Sequence, residues 1–179
     1  MNKWDKHFHN LCVELSKQSS CLSRQIGAIL VKDNIIISTG YNGPPRGVPH
    51  CGMERYEQQG KEYSDFIYSK INKGSQVTRI ISEVCPRNIL GYASGEGLDL
   101  HCPSVHAETN CLASAARVGA VTNNTTMYMN CIIPCKSCFG LLINAGIKEI
   151  VIDSIKGYDS LTKDLILPHS DIIIREFEI

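Results

Sequence analysis

The residues of this chain best able to do chemistry lie between Val105 and Cys138. His106-Ala107-Glu108 opens the stretch and Pro134-Cys135-Lys136-Ser137-Cys138 closes it. A turn of helix holds thiolates spaced as Cys135 and Cys138 close enough to share one tetrahedral metal, and His106 supplies a third ligand. Three protein ligands leave the fourth position of a zinc ion open to water, as in a catalytic rather than a structural site. Glu108 then lies beside that water. Zinc makes bound water acidic near neutral pH, and a carboxylate alongside can take its proton and deliver it elsewhere. Hydrolytic deamination of an aminopyrimidine needs those transfers: one proton to the ring nitrogen as water adds to the amidine carbon, another to the departing ammonia. One glutamate can perform both.

A lone Cys-x-x-Cys would be a weak signal, equally suited to a redox pair or half of a zinc ribbon. Neither of those needs His106 and Glu108 ahead of it in this order. H-x-E followed by P-C-x-x-C is a known signature of zinc nucleobase deaminases.

The elements that must position these residues follow from apolar periodicity. The spacing predicts helices over 106–118 and 135–145, so both ligand groups sit at helix N-termini. Unpaired N–H groups and the helix dipole favour thiolate there and can also hold a substrate carbonyl, with the Ala107 N–H as the candidate donor. A covering helix over 3–19 places Trp4, Phe8, Leu11, Cys12 and Leu15 on one face, with Asp5, Lys6, Glu14 and Lys17 largely off it. Cys12 is expected to be buried, His7 and His9 solvated. β-rich runs at 25–31 and 34–41, separated by Lys32-Asp33, predict an antiparallel hairpin. It ends in the Gly40-Tyr41-Asn42-Gly43-Pro44-Pro45 loop, where the Asn42 amide could bond a sugar hydroxyl. Further strands are predicted at 126–132, 149–153 and 172–174. Strand, ligand-bearing helix and strand in succession imply a parallel β-α-β unit beside the hairpin. The expected fold is α/β in three layers (α/β/α), a five-stranded mixed sheet flanked by helices. Cys111 and Cys131 fall inside these elements and are expected in the core.

At 179 residues, 43% hydrophobic and 20% charged, the chain suits one soluble domain over 1–179. It carries an excursion around 53–100, with helices expected at 53–59 and 63–71 and a Gly-rich run at 91–97. Such a long excursion reads as a specialising insertion. Eighteen basic and eighteen acidic residues cancel, so nothing suggests an electrostatic grip on a nucleic acid polymer. No apolar span or leader is apparent, which implies a cytoplasmic protein with no membrane partner. Nine cysteines, an odd number, favour metal ligation over a disulfide framework. Cys21, Cys51, His101 and Cys102 fit no apolar helical stripe and are candidates for a second, structural zinc, with His50 as a substitute and Cys85 more remote.

The hairpin, His106-Ala107-Glu108, Pro134-Cys135-x-x-Cys138 and the Ala145-Gly146-Ile147-Lys148 run together resemble the cytidine deaminase-like superfamily. Ser23, Arg24, Ile26, Gly27 and Ala28, then Gly40-Tyr41-Asn42-Gly43, His106-Ala107-Glu108-Thr109-Asn110 and Met127-Tyr128, are similar to the deoxycytidylate deaminases within it. The resemblance runs through most of the chain except the excursion, whose size is similar to that in phage versions, which would work in the host cytoplasm. It implies conversion of dCMP to dUMP, a five-stranded sheet with flanking helices and a homo-oligomer, commonly a hexamer. It also implies control by dCTP as activator and dTTP as inhibitor, through a Mg2+-bound site near the Tyr-Asn-Gly loop. Tyr41, Gly43, Arg46, Asn110 and Arg117 are the candidate residues for that control. Some relatives of this kind carry an accessory zinc. A monophosphate needs cationic or N–H partners, and Arg24 is the first candidate, with Lys136 and Tyr158 after it. Two rival readings are a tRNA-editing deaminase acting on polynucleotide and a zinc-stabilised module without catalysis. The first wants a basic surface, and the second leaves Glu108 without a task.

Overall fold

The structure, a computed structural model, describes residues 2–71, 76–93, 95–156 and 160–179. The chain begins with α1 (Lys3–Ser16), β1 (Gly27–Lys32) and β2 (Ile35–Tyr41). Five short helices follow: α2 (Met53–Gln58), α3 (Lys61–Lys70), α4 (Val77–Glu83), α5 (Pro86–Ile89) and α6 (Leu98–His101). Then come α7 (Ala107–Arg117), β3 (Thr125–Met129), α8 (Lys136–Asn144), β4 (Ile147–Ile152) and β5 (Ile173–Glu176). These elements form two compact units. One comprises Met1–Ser19, Ile26–Asn42 and His106–Ile179, the other Ser20–Gln25 and Gly43–Val105.

The first unit holds the sheet, in the order β2-β1-β3-β4-β5. β1 is antiparallel to both β2 and β3, while β3, β4 and β5 run parallel. The hairpin turn is at Asp33 and Asn34, one residue later than expected. Both have positive φ, 52° and 63°, the mirror-image turn whose twist matches paired strands. Side chains alternate between the two faces, as a pleated strand requires. Ala28, Leu30, Met127, Met129, Ile150 and Ile152 pack with Ala107 and Cys111 of α7 and Phe139 and Leu142 of α8. Ile29, Val31, Tyr128 and Val151 pack on the opposite face with Phe8 and Cys12 of α1. These are the three layers expected, with both ligand-bearing helices on one side. Cys12 and Cys111 are fully buried, and Cys131 is half-buried against the same core.

Two readings of α1 are corrected. Asp5 is fully buried rather than solvent-facing, because the Arg175 guanidinium of β5 grips it with two nitrogens, Nη2 donating at 2.9 Å. Arg175 Nε also donates to Glu149 of β4 at 2.8 Å. His9 is not free in solvent: its Nε2 lies 2.9 Å from Asp153 Oδ1 and its ring meets Phe177 edge-on.

The second unit is more ordered than its loose periodicity implied. Tyr56, Ile67, Ile71 and Ile81 form a core of their own, with Met53, Tyr63 and Ile89 around it. Buried Arg55 donates to the His101 carbonyl at 2.7 Å and lies over the Tyr63 ring. Among the described residues no helix is long and apolar enough to cross a membrane.

Candidate active site

His106 and Cys135 occupy equivalent places, each the extended N-cap residue of its helix, α7 and α8. Glu108 is at the second position of α7, and Cys138 is at the third position of α8. Because both helices pack on the same sheet face, their N-terminal turns meet. His106 Nδ1 lies 3.5 Å from Cys135 Sγ and 3.4 Å from Cys138 Sγ. Ligand bonds of about 2.3 Å for sulfur and 2.0–2.1 Å for nitrogen, at a tetrahedral angle, place S and N about 3.6 Å apart. The cluster therefore fits zinc. Its three ligand atoms lie within 4.8 Å of one another, and among the described residues no other such group of His, Cys, Asp or Glu is drawn this close.

Glu108 stands just outside this group, with Oε1 3.9 Å from His106 Nδ1. It is only 5% exposed, and burial pushes its carboxyl above the ordinary range, with its own main-chain N–H and the His106 charge opposing. Cys135 is pulled down to about 4 by its hydrogen bonds with Cys138 and His106. The bond with Cys135, followed by burial, pushes the Cys138 thiol up. The bond to Cys135 raises His106, against burial.

Two contacts hold α7 against β2 near the site. Ser38 Oγ donates to the Cys111 carbonyl at 2.7 Å, and Asn110 Nδ2 donates to the Tyr41 carbonyl at 2.8 Å. Between them, Gly40 lets the backbones touch: a Cβ there would stand 2.3 Å from Cys111 N and 2.5 Å from the Ala107 oxygen. Asn110 is thus a tie between the Tyr41 loop and the helix that starts beside His106. Asn42 is buried, and its Oδ1 accepts the Ile26 N–H at 2.8 Å. Ala107 is buried at the first position of α7, Lys136 is exposed at the first position of α8, and Arg117 is exposed in the last turn of α7. Tyr158 lies outside the described residues.

Arg24, Gly43 and Arg46 belong to the second unit, as do Cys21, Cys51, Cys85, His101 and Cys102. Arg24 and Arg46 are exposed, and Gly43 is paired through both main-chain groups with Val105. The four candidates for a second zinc are not drawn together at ligand distance. Burial pushes the Cys51 thiol up to about 11; the Arg55 charge opposes this, and the thiols of Cys102, Cys21 and Cys85 add to it. Sequence reasoning missed Thr109, whose Oγ1 lies 3.3 Å from Cys138 Sγ. The signal was present, since a residue three places after His106 shares its helix face.

The arrangement of sheet and helices is that of known deaminases. The dCMP deaminase of cyanophage S-TIM5, solved in complex with dCMP and dUMP, aligns with a TM-score of 0.63 at 18% identity over 98% of each chain. At that identity the likeness shows the fold, that of the cytidine deaminase-like α/β proteins. Residues 2–154 match the cytidine and deoxycytidylate deaminase zinc-binding region, and the chain belongs to that family. It is 32% identical over 174 residues to the deoxycytidylate deaminase of Schizosaccharomyces pombe, covering 97% of this chain and 44% of that one. To the deoxycytidylate deaminase of Enterobacteria phage T4 it is 31% identical over 139 residues, covering 76% of this chain and 70% of that one. The chain thus spans under half the length of the fission yeast relative.

Proposed function

We propose that the protein hydrolyses dCMP to dUMP and ammonia, with zinc held by His106, Cys135 and Cys138. The observation that carries this reading is a His Nδ1 facing two sulfurs at 3.4 and 3.5 Å beside a buried carboxylate 3.9 Å away. Bound zinc would supply the Lewis acidity that makes a water reactive near neutral pH. Glu108 would accept a proton from the water and give it to the ring nitrogen, then take the remaining proton of the added hydroxyl and pass it to the departing amine as the carbonyl forms. Its burial suits the task, since a carboxyl raised above the ordinary range takes up a proton more readily than a solvated one. The Ala107 N–H, at the buried start of α7, is the donor for the pyrimidine carbonyl.

Relatives named deoxycytidylate deaminase and the balanced charge support a mononucleotide substrate over a polynucleotide. Control by dCTP with Mg2+ as activator and dTTP as inhibitor is part of the proposal, supported by the Asn110 tie from Tyr41 to α7. A nucleotide that moved the loop would move the helix carrying Glu108, the differential contact that allostery requires. The proposed hexamer rests on the resemblance alone. The second zinc, at Cys21, Cys51, His101 and Cys102, rests on those residue types alone, since the four do not stand at ligand distance.

The test is incubation with dCMP, cytidine and a short RNA, following ultraviolet absorbance and ammonia, with and without the two effectors. Turnover of dCMP well above the others is the expected result. Deamination of RNA alone, or of nothing by zinc-loaded protein, would overturn the reading.

A further inference from the structure

Two thiolates on one metal each need hydrogen-bond donors to spread their charge, and the two sulfurs here obtain them differently. Cys135, the N-cap of α8, is half-buried at the helix start, where water can reach it. Cys138 lies one turn further in and is only 5% exposed. Its donor comes from the other helix: Thr109 Oγ1, at 3.3 Å. A metal-bound thiolate has no proton to give, so the hydroxyl must be the donor in that state. A helical threonine can instead turn its hydroxyl back to a carbonyl of the preceding turn. Here it faces the sulfur.

We infer that Thr109 is a positioning residue of this site: its hydroxyl donates to Cys138 Sγ and fixes that sulfur's direction and electron density toward the metal. The inference rests on the reading of His106, Cys135 and Cys138 as zinc ligands. Partners just outside a metal's ligands typically change affinity about 10–100-fold when removed. Valine has nearly the shape of threonine without the hydroxyl, and serine keeps the hydroxyl without the methyl.

The experiment compares wild type, Thr109→Val and Thr109→Ser by chelator competition for zinc. It also compares the thiolate-to-metal charge-transfer band of the Co2+-substituted proteins, both without substrate. Thr109→Val should bind zinc about 10–100-fold more weakly and shift the band to lower energy, with Thr109→Ser restoring both. The metal-free forms should melt together. Zinc affinity of Thr109→Val within about twofold of wild type, with an unmoved band, would overturn the inference. So would a valine variant destabilised equally with and without metal, which would assign the hydroxyl to packing, or a serine variant no better than valine. A wild-type protein that binds no stoichiometric zinc would overturn the ligand reading as well, and so separates the two failures.

Discussion

Gly40→Ala is the smallest change that tests whether β2 sets the position of α7, which carries the proposed proton shuttle. The added methyl would lie 2.3 Å from Cys111 N, 2.5 Å from the Ala107 oxygen and 2.7 Å from Cys111 Cα, all backbone atoms with no rotamer to yield. Ordinary contact begins at 3.4 Å, so α7 and β2 must part by 3.4 − 2.3 = 1.1 Å. That movement strains the Ser38 and Asn110 bonds on either side. Overpacking costs about 1–3 kcal/mol and each lost hydrogen bond about 1 kcal/mol, which brings the loss to about 3–5 kcal/mol. At 2–4 °C per kcal/mol for a chain of this size, the melting temperature should fall by on the order of 10 °C. The protein stays folded at assay temperature if its stability lies in the middle or upper part of the usual range of about 5–15 kcal/mol. The functional loss is larger than the thermal one implies, because His106 and Glu108 begin the displaced helix. Misplacing reacting groups by about 1 Å costs on the order of 10²-fold in turnover. Steady-state dCMP deamination at saturating substrate, zinc content and thermal melts together decide it. A Gly40→Ala protein that melts with wild type and turns over at the wild-type rate would refute the close-approach argument.

Three further outcomes follow from the same geometry. Glu108→Gln should keep its zinc and lose about 10²–10⁴-fold in turnover, the usual contribution of a positioned acid–base group; near-normal activity would remove Glu108 from the proton path. In zinc-stripped protein Cys135, near 4, is already thiolate at pH 6, whereas Cys51, near 11, is not. Alkylation of Cys135 should therefore be flat between pH 6 and 8 while that of Cys51 rises about tenfold per pH unit, as peptide mass spectrometry would show. Equal pH slopes would contradict the hydrogen bonds assigned to Cys135. Asp5→Ala removes the buried partner of Arg175, itself 29% exposed and still joined to Glu149. The loss should fall at the low end of the about 3–5 kcal/mol typical of a broken buried pair, and a denaturant midpoint unchanged from wild type would deny the pair any structural role.

The grouping of His106, Cys135 and Cys138 was legible because its signals are short-range. Each motif spans a few residues, and helix periodicity alone places it at a helix start. What the sequence concealed depends on distant partners. Asp5 looks like an outward-facing charge on an amphipathic helix until Arg175 is known to reach it from 170 residues away. His9 and Asp153 are 144 residues apart, and Thr109 and Cys138 are 29 apart on different helices. The helices between Gly43 and Val105 were partly missed for a local reason. None of α2 to α6 has a side-chain cap at its start, and the caps of α2, α3 and α6 are glycines with positive φ. A Ser, Thr, Asp or Asn cap, the strongest sequence mark of a helix start, is absent from all five, although Pro86 at the start of α5 is another such mark.

The bond between Asp5 and Arg175 also sets a clock. A charged carboxylate buried alone is costly, so α1 settles on the sheet with Asp5 ionised only when the guanidinium of β5 is there to meet it. Translation runs at about 5–20 residues per second, which puts Arg175 on the order of 10–30 seconds behind Asp5. Through that interval the apolar stripe of α1, with Phe8 and Cys12, waits on the growing chain without its final cover. The first helix thus gains its charge partner only with the synthesis of β5.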